Sequence, residues 1–170
     1  KLYNLFKKCI LKKSKCYSFF IEIINMKIIV VGPDYSKYNA ASYQYEFMNS
    51  LMEISEKYFH YSKNIEIEEE QLYKKAKFVP DVIFYNHGWL HDNPSVKKIN
   101  YTIINKKSNN KNIKHVIFLN KEYTRLEEKL NEIKRNKFDL IFTHLHYFEE
   151  LNNTSIGSRF LPLACSYENI

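Results

Sequence analysis

Four short apolar runs, 27–31 (KIIVV), 81–85 (DVIFY), 115–119 (HVIFL) and 139–142 (DLIF), constrain this chain more than any other feature. Each is unbroken rather than alternating. That is the pattern of a strand buried on both faces, and such strands belong to parallel sheets sandwiched between helices. The intervening stretches supply the helices. Phe47, Leu51, Ile54 and Tyr58 recur at 4-3-4 spacing and predict a helix over 39–59. Residues 66–78 open with Glu66, Glu68, Glu69 and Glu70 and close with Lys74, Lys75 and Lys77, the charge order that complements a helix dipole; Pro80 stops the helix. Tyr123, Leu126, Leu130 and Ile133 predict a third helix over 121–135, with charges on the opposite side. A weak strand fits 60–62, and 96–105 suits a helix or a strand. Residues 159–163 (RFLPL) read as a fifth strand with Pro162 at its end or edge. Alternation without tight hairpin signals implies right-handed crossovers. The expected fold class is α/β, a Rossmann-like open parallel sheet with helices on both faces, occupying residues 26–165.

A chain of 170 residues with 45% apolar and 16% aromatic side chains has material for one domain with a buried core. The net charge of +7 suggests nucleic acid at first sight, but its distribution argues against that partner. Residues 1–26 hold six lysines against Glu22, a balance of +5, which leaves +2 for the other 144 residues. Cys9, Cys16 and Cys165 lack metal-type spacing and are odd in number, which fits free thiols in a reducing, cytoplasmic compartment. No run of ~18 apolar residues predicts a membrane span, and 17–24 lacks the features of a signal peptide. Residues 1–25 read as a basic extension that contributes little to the fold. The other reading is a basic amphipathic helix, with Leu2, Leu5, Phe6, Cys9 and Ile10 on one face. Residues 1–15 would then make weak contact with a membrane surface and the protein would be peripheral to it.

Parallel sheets bind ligands at the carboxyl ends of their strands. That rule selects the loops 32–37, 86–92, 120–122, 143–146 and 164–167. The first lacks both glycine-rich phosphate motifs; Gly32 alone either admits a ligand to the backbone or simply makes the turn. Four of the six histidines lie in these loops: His87, His91, His144 and His146. Imidazoles so gathered can bind a metal or act as bases. No carboxylate cluster accompanies them, so no metal site is assigned, and a catalytic or substrate-contacting histidine is the stronger expectation. Glu122 opens a helix, where the dipole alone favours it, and is also placed to take a proton from a hydroxyl. Trp89, if exposed, can stack on a sugar face; burial is the commoner state.

Several segments together resemble a known family. They are 26–32 (MKIIVVG), the strand entry Pro80-Asp81-Val82-Ile83, the stretch 138–144 (FDLIFTH), and 160–165 (FLPLAC) with Glu168. These resemble the N-terminal half of GT-B glycosyltransferases of the spore-maturation type, over residues 26–170. The resemblance implies an acceptor-binding first domain and a nucleotide-sugar-binding second domain, with residues 166–170 beginning the linker to the latter. The expected partners are a sugar acceptor and that donor-binding domain, and the donor substrate is a nucleotide sugar rather than a tightly held cofactor. Alone, such a half is expected to be inactive. Relatives place an Asp or His where Asn120-Lys121-Glu122 stands here. The expected site comprises Glu122 and His144 as catalytic residues, with Gly32, His87, Trp89 and His146 binding substrate. A metal-dependent hydrolase would instead use the pairs His87/His91 and His144/His146. A receiver-like or purely binding domain is the third reading, although Asn86 or Asn120 stands where a receiver needs an acid.

Overall fold

The computed structural model describes residues 26–38, 42–105, 112–145, 148, 152 and 154–160. In chain order the elements are β1 (Lys27–Val31), α1 (Ser42–Ile54), β2 (Lys57–Tyr61), β3 (Ile67–Glu68), α2 (Glu69–Ala76) and β4 (Val82–Tyr85). There follow β5 (Ile104–Asn105), β6 (Lys114–Leu119), α3 (Leu126–Asn136), β7 (Leu140–Thr143) and β8 (Ser158–Phe160). Six strands form one sheet in the order β2-β1-β4-β6-β7-β8, and every pairing in it is parallel. The four apolar runs are β1, β4, β6 and β7, and they lie side by side in that order. β3 and β5 make a small parallel pair of their own.

The winding explains the layers. From β1 the chain steps one way to β2; every later step runs the other way. Right-handed crossovers therefore put α1 on one face and the later connections on the other. The side chains agree. Met48 and Leu51 of α1 pack with Ile28, Val30, Val82, Phe84, Val116, Phe118 and Phe142. Leu72 of α2 and Leu130 and Ile133 of α3 pack with Ile29, Val31, Ile83, Tyr85, Ile117, Leu119 and Ile141. Consecutive strand residues thus feed opposite cores, which is why the runs are unbroken. The chain is an α/β protein with a Rossmann-like, doubly wound sheet. Among the described residues no helix is long and apolar enough to cross a membrane.

Element ends differ from expectation for identifiable reasons. The helix expected over 39–59 stops at Ile54, and 57–61 become β2, paired with β1 from Lys27↔Lys57 to Val31↔Tyr61. Tyr58 extended the helical repeat only because, from a strand, it faces the same apolar layer as Phe47 and Ile54. α2 and α3 each begin later than their charge patterns suggest. Lys121 and Arg125 both have positive φ (48° and 51°), so 121–125 is a turn and the helix starts after it. Residues 96–105 form no helix. Instead His91 N–H donates to Ile99 O, Tyr101 N–H donates to Trp89 O, and Leu90 bridges Asn100 antiparallel, making a narrow arm. Residues 1–25, 146, 161–165 and the expected linker 166–170 lie outside the described residues.

Two aspartates fix the amino edge of the sheet. Asp81 accepts from Lys27 N–H at 2.8 Å, and Asp139 accepts from His115 N–H at 2.8 Å. Each stands just before its own strand and satisfies a donor at the start of the strand beside it, the first of β1 and the second of β6. That edge is the one away from the candidate site.

Candidate functional site

The carboxyl ends of the central strands carry the polar side chains. β4 runs into Asn86 and His87, β6 into Asn120, and β7 into His144, while α1 brings Tyr43 and Phe47 against them. The His87 ring stacks on Phe118 with centroids 3.8 Å apart and lies nearly parallel to His144 at 5.6 Å. Tyr43 meets both imidazoles edge-on, at 5.5 and 5.9 Å, and Phe47 meets His87 in the same way. The Tyr43 hydroxyl donates to Asn120 Oδ1 at 3.2 Å. Two of the four strand-end histidines are therefore brought together.

Glu122 is buried beside them. Its Oε1 accepts from the Thr143 hydroxyl and, at 3.1 Å, from His144 N–H. The carboxylate thus fixes the point where β7 ends and His144 begins. A side chain two residues into a turn could not be assigned that task from sequence, because its partners are more than 20 positions away.

His87 is almost wholly buried and its Nδ1 has no hydrogen-bond partner. Burial pushes its pKa well below the usual histidine value, and the neighbouring His144 adds to the effect. The sign follows directly. The unfolded chain takes up a proton near pH 6.5 while folded His87 does not, so its contribution is complete above that pH and is lost as pH falls. The expected loss is about 1.4 kcal/mol per pH unit below ~6.5 until the folded ring titrates. His60 and His91, also lowered mainly by burial, act in the same direction. Urea unfolding of the wild type and His87→Phe at pH 7.5 and 5.5 checks this. The substitution keeps the stacking and should flatten the pH dependence; an unchanged slope would assign it to other groups.

Gly32 has a structural role. Its φ is 137°, its N–H donates to Tyr61 O, and a Cβ would lie 2.0 Å from Asn86 Oδ1. Asn86 fills that space, donating to Pro33 O at 2.9 Å and accepting from Gly88 N–H at 3.2 Å. The crevice between β1 and β4, where the winding reverses, is closed by an amide. The backbone at Gly32 is not open to the ligand approach expected of it. Gly32→Ala should destabilise by roughly 2 kcal/mol or more through backbone strain and the Asn86 clash, read from a denaturation midpoint.

Trp89 also departs from expectation. It is 1% exposed, packs on Tyr85 and Phe138, and donates from its indole N–H to Thr102 O at 2.9 Å. No ring face is available to a sugar. His91 is not with His87: its ring lies 6.0 Å from Tyr101. His146 lies outside the described residues. Among the described residues no three His, Cys, Asp or Glu side chains are grouped as metal ligands would be.

Lys129, its partner Asp92 and Arg125 have roles the sequence did not signal. Lys129 is fully buried, its ammonium bonded to Asp92, to Asn120 O at 2.7 Å and to Lys121 O at 3.0 Å. Arg125 reaches Asn93 O at 2.9 Å and Val96 O at 3.0 Å. Together they pin the arm after β4 to the start of α3 and hold Asn120 in place. The available clue was positional. Lys129 is three residues after Leu126 and four before Ile133, on the apolar side of α3.

No family model matches the chain, and no curated protein or solved structure matches it either.

Proposed function

We propose that this chain is the acceptor-binding half of a glycosyltransferase, taking a sugar acceptor at the carboxyl edge over β4, β6 and β7. The observation that carries the reading is the convergence of Tyr43, His87, Asn120 and His144 on that edge, where parallel sheets hold ligands. The resemblance of 26–32, 80–83 and 138–144 to GT-B N-terminal halves supplies the reaction class. In this scheme His144 accepts the proton of the acceptor hydroxyl as its oxygen attacks the anomeric carbon and the nucleoside diphosphate departs. Glu122 positions His144, and Tyr43 with Asn120 orients the hydroxyl. The donor nucleotide sugar belongs to a second domain. The protein works in the cytosol, with basic residues 1–15 resting against anionic lipid.

Calorimetric titration and a transfer assay test this. The chain should bind simple glycosides, with His144→Ala weakening binding by roughly tenfold, about 1.4 kcal/mol. It should turn over no nucleotide sugar alone, because half the positioning machinery is elsewhere. Turnover by the 170-residue chain, or no glycoside binding at millimolar concentration, contradicts the reading.

A further inference from the structure

Cations collect at the amino edge of the sheet. β1, β2 and β6 each begin with a lysine, Lys27, Lys57 and Lys114, and Lys27 pairs directly with Lys57. α2 and α3 both return the chain to this edge, with Lys74, Lys75, Lys134 and Arg135 in their last turns and Lys77 and Lys137 as their caps. Against these nine cations, the described helix ends and strand starts at this edge hold four carboxylates, Glu53, Glu56, Asp81 and Asp139. The resulting +5 exceeds the +2 of residues 27–170 together, so the remainder of that span is net acidic. Helix dipoles account for cations in the last turns of α2 and α3. They do not account for lysines that open strands, because a sheet has little net dipole. Lys114 pairs with Asp139 at 3.2 Å and Arg135 with Glu132 at 2.8 Å. Lys57, Lys74, Lys75, Lys77, Lys134 and Lys137 all stand exposed.

We propose that this amino edge docks on an anionic lipid surface. From β2 to β7 the strand starts run in a row about 19 Å long, a footprint suited to a flat array of phosphate headgroups. Exposed apolar side chains favour lipid over nucleic acid. Met52, in the last turn of α1, and Val79, just ahead of β4, are 49% and 54% exposed beside these lysines. Aliphatic groups among cations enter the boundary between headgroups and acyl chains. Single-stranded nucleic acid rewards exposed rings instead, and the exposed tyrosines Tyr38, Tyr45 and Tyr123 stand towards the carboxyl edge. Docked in this way, the protein keeps its carboxyl edge roughly 16 Å from the bilayer, one strand length away, and open to water. The inference depends neither on the sugar-transfer reading nor on contact through residues 1–15.

Vesicle co-sedimentation of the full chain tests it. The chain should bind vesicles of phosphatidylcholine mixed with phosphatidylserine, and not phosphatidylcholine alone. Each lysine near an anionic surface is worth roughly fivefold. The triple variant Lys57→Gln, Lys75→Gln and Lys134→Gln should therefore bind at least about tenfold more weakly. Lys63→Gln, Lys97→Gln and Lys98→Gln remove the same charge away from the edge and should stay within about twofold. A photo-crosslinking residue at position 79 should label lipid and one at position 123 should not, a readout that stands even if the edge triple fails to fold. Equal losses from the two triples, an edge triple that binds like wild type, or lipid labelling from position 123 rather than 79 would overturn the proposal. So would duplex DNA that outcompetes the vesicles for the same lysines.

Discussion

Replacing Lys129 with methionine is expected to destabilise the protein by about 3 kcal/mol, although the new side chain is apolar and of similar length. All three ammonium hydrogens have acceptors: the Asp92 carboxylate, Asn120 O and Lys121 O. Methionine leaves those acceptors without donors in a site from which Lys129 had excluded water. The carboxylate is the costliest of them. The Asp92 side chain keeps 23% exposure and so retains some hydration, which places the effect at the lower end for a broken buried pair. For a domain of this size the expected fall in Tm is roughly 10 °C. Asp92→Asn added to Lys129→Met should recover part of it, since the amide needs no cation, and the double-mutant cycle isolates the pairing. A Lys129→Met protein as stable as wild type would show that the Lys129–Asp92 contact does not hold the arm after β4.

Trp89→Ala is expected to cost more, about 3–5 kcal/mol. The ring is buried between Tyr85 and Phe138, at centroid distances of 4.7 and 5.6 Å, and its removal leaves a cavity and the Thr102 carbonyl unpaired. Trp89→Phe retains most of the packing and loses the hydrogen bond, so it should cost roughly 1–2 kcal/mol. As the sole tryptophan, Trp89 reports on itself: its emission should be that of a buried indole and shift to the red only on unfolding. Glycoside affinity of Trp89→Phe should equal that of wild type, because Trp89 faces the α2–α3 core while His87 and Tyr43 lie on the α1 side. A selective loss of affinity would restore a ligand-stacking role.

Strands buried on both faces announce themselves, because local composition and tertiary placement agree; 27–31, 81–85, 115–119 and 139–142 read correctly for that reason. The α1–β2 boundary did not. Tyr58 satisfied a helical period and a strand's outward face at once, and only pairing with β1 decides between them. The candidate site was legible to the level of strand ends. That rule found His87 and His144, which do meet, and Glu122, which joins them through the start of the β7 loop. It could not separate His91 from His87, since the arm that turns His91 away is built from backbone bonds among 89–101. Nor could it tell that Gly32 is shaped for Asn86, a contact between residues 54 positions apart. Tyr43 was missed because α1 delivers it from the far side of the chain's first crossover. The aspartates of 80–83 and 138–144, part of the resemblance to GT-B enzymes, serve here to cap neighbouring strands at the amino edge.

Ligand binding at the carboxyl edge over β4, β6 and β7, as proposed, is read from a resonance map. In the isotopically labelled full chain, titration with a methyl glycoside should move the side-chain signals of Tyr43, His87, Asn120 and His144. The backbone amides of Lys27 and His115, held by Asp81 and Asp139 at the opposite edge, should stay in place. Shifts at the amino edge with a silent His87–His144 pair would contradict the account.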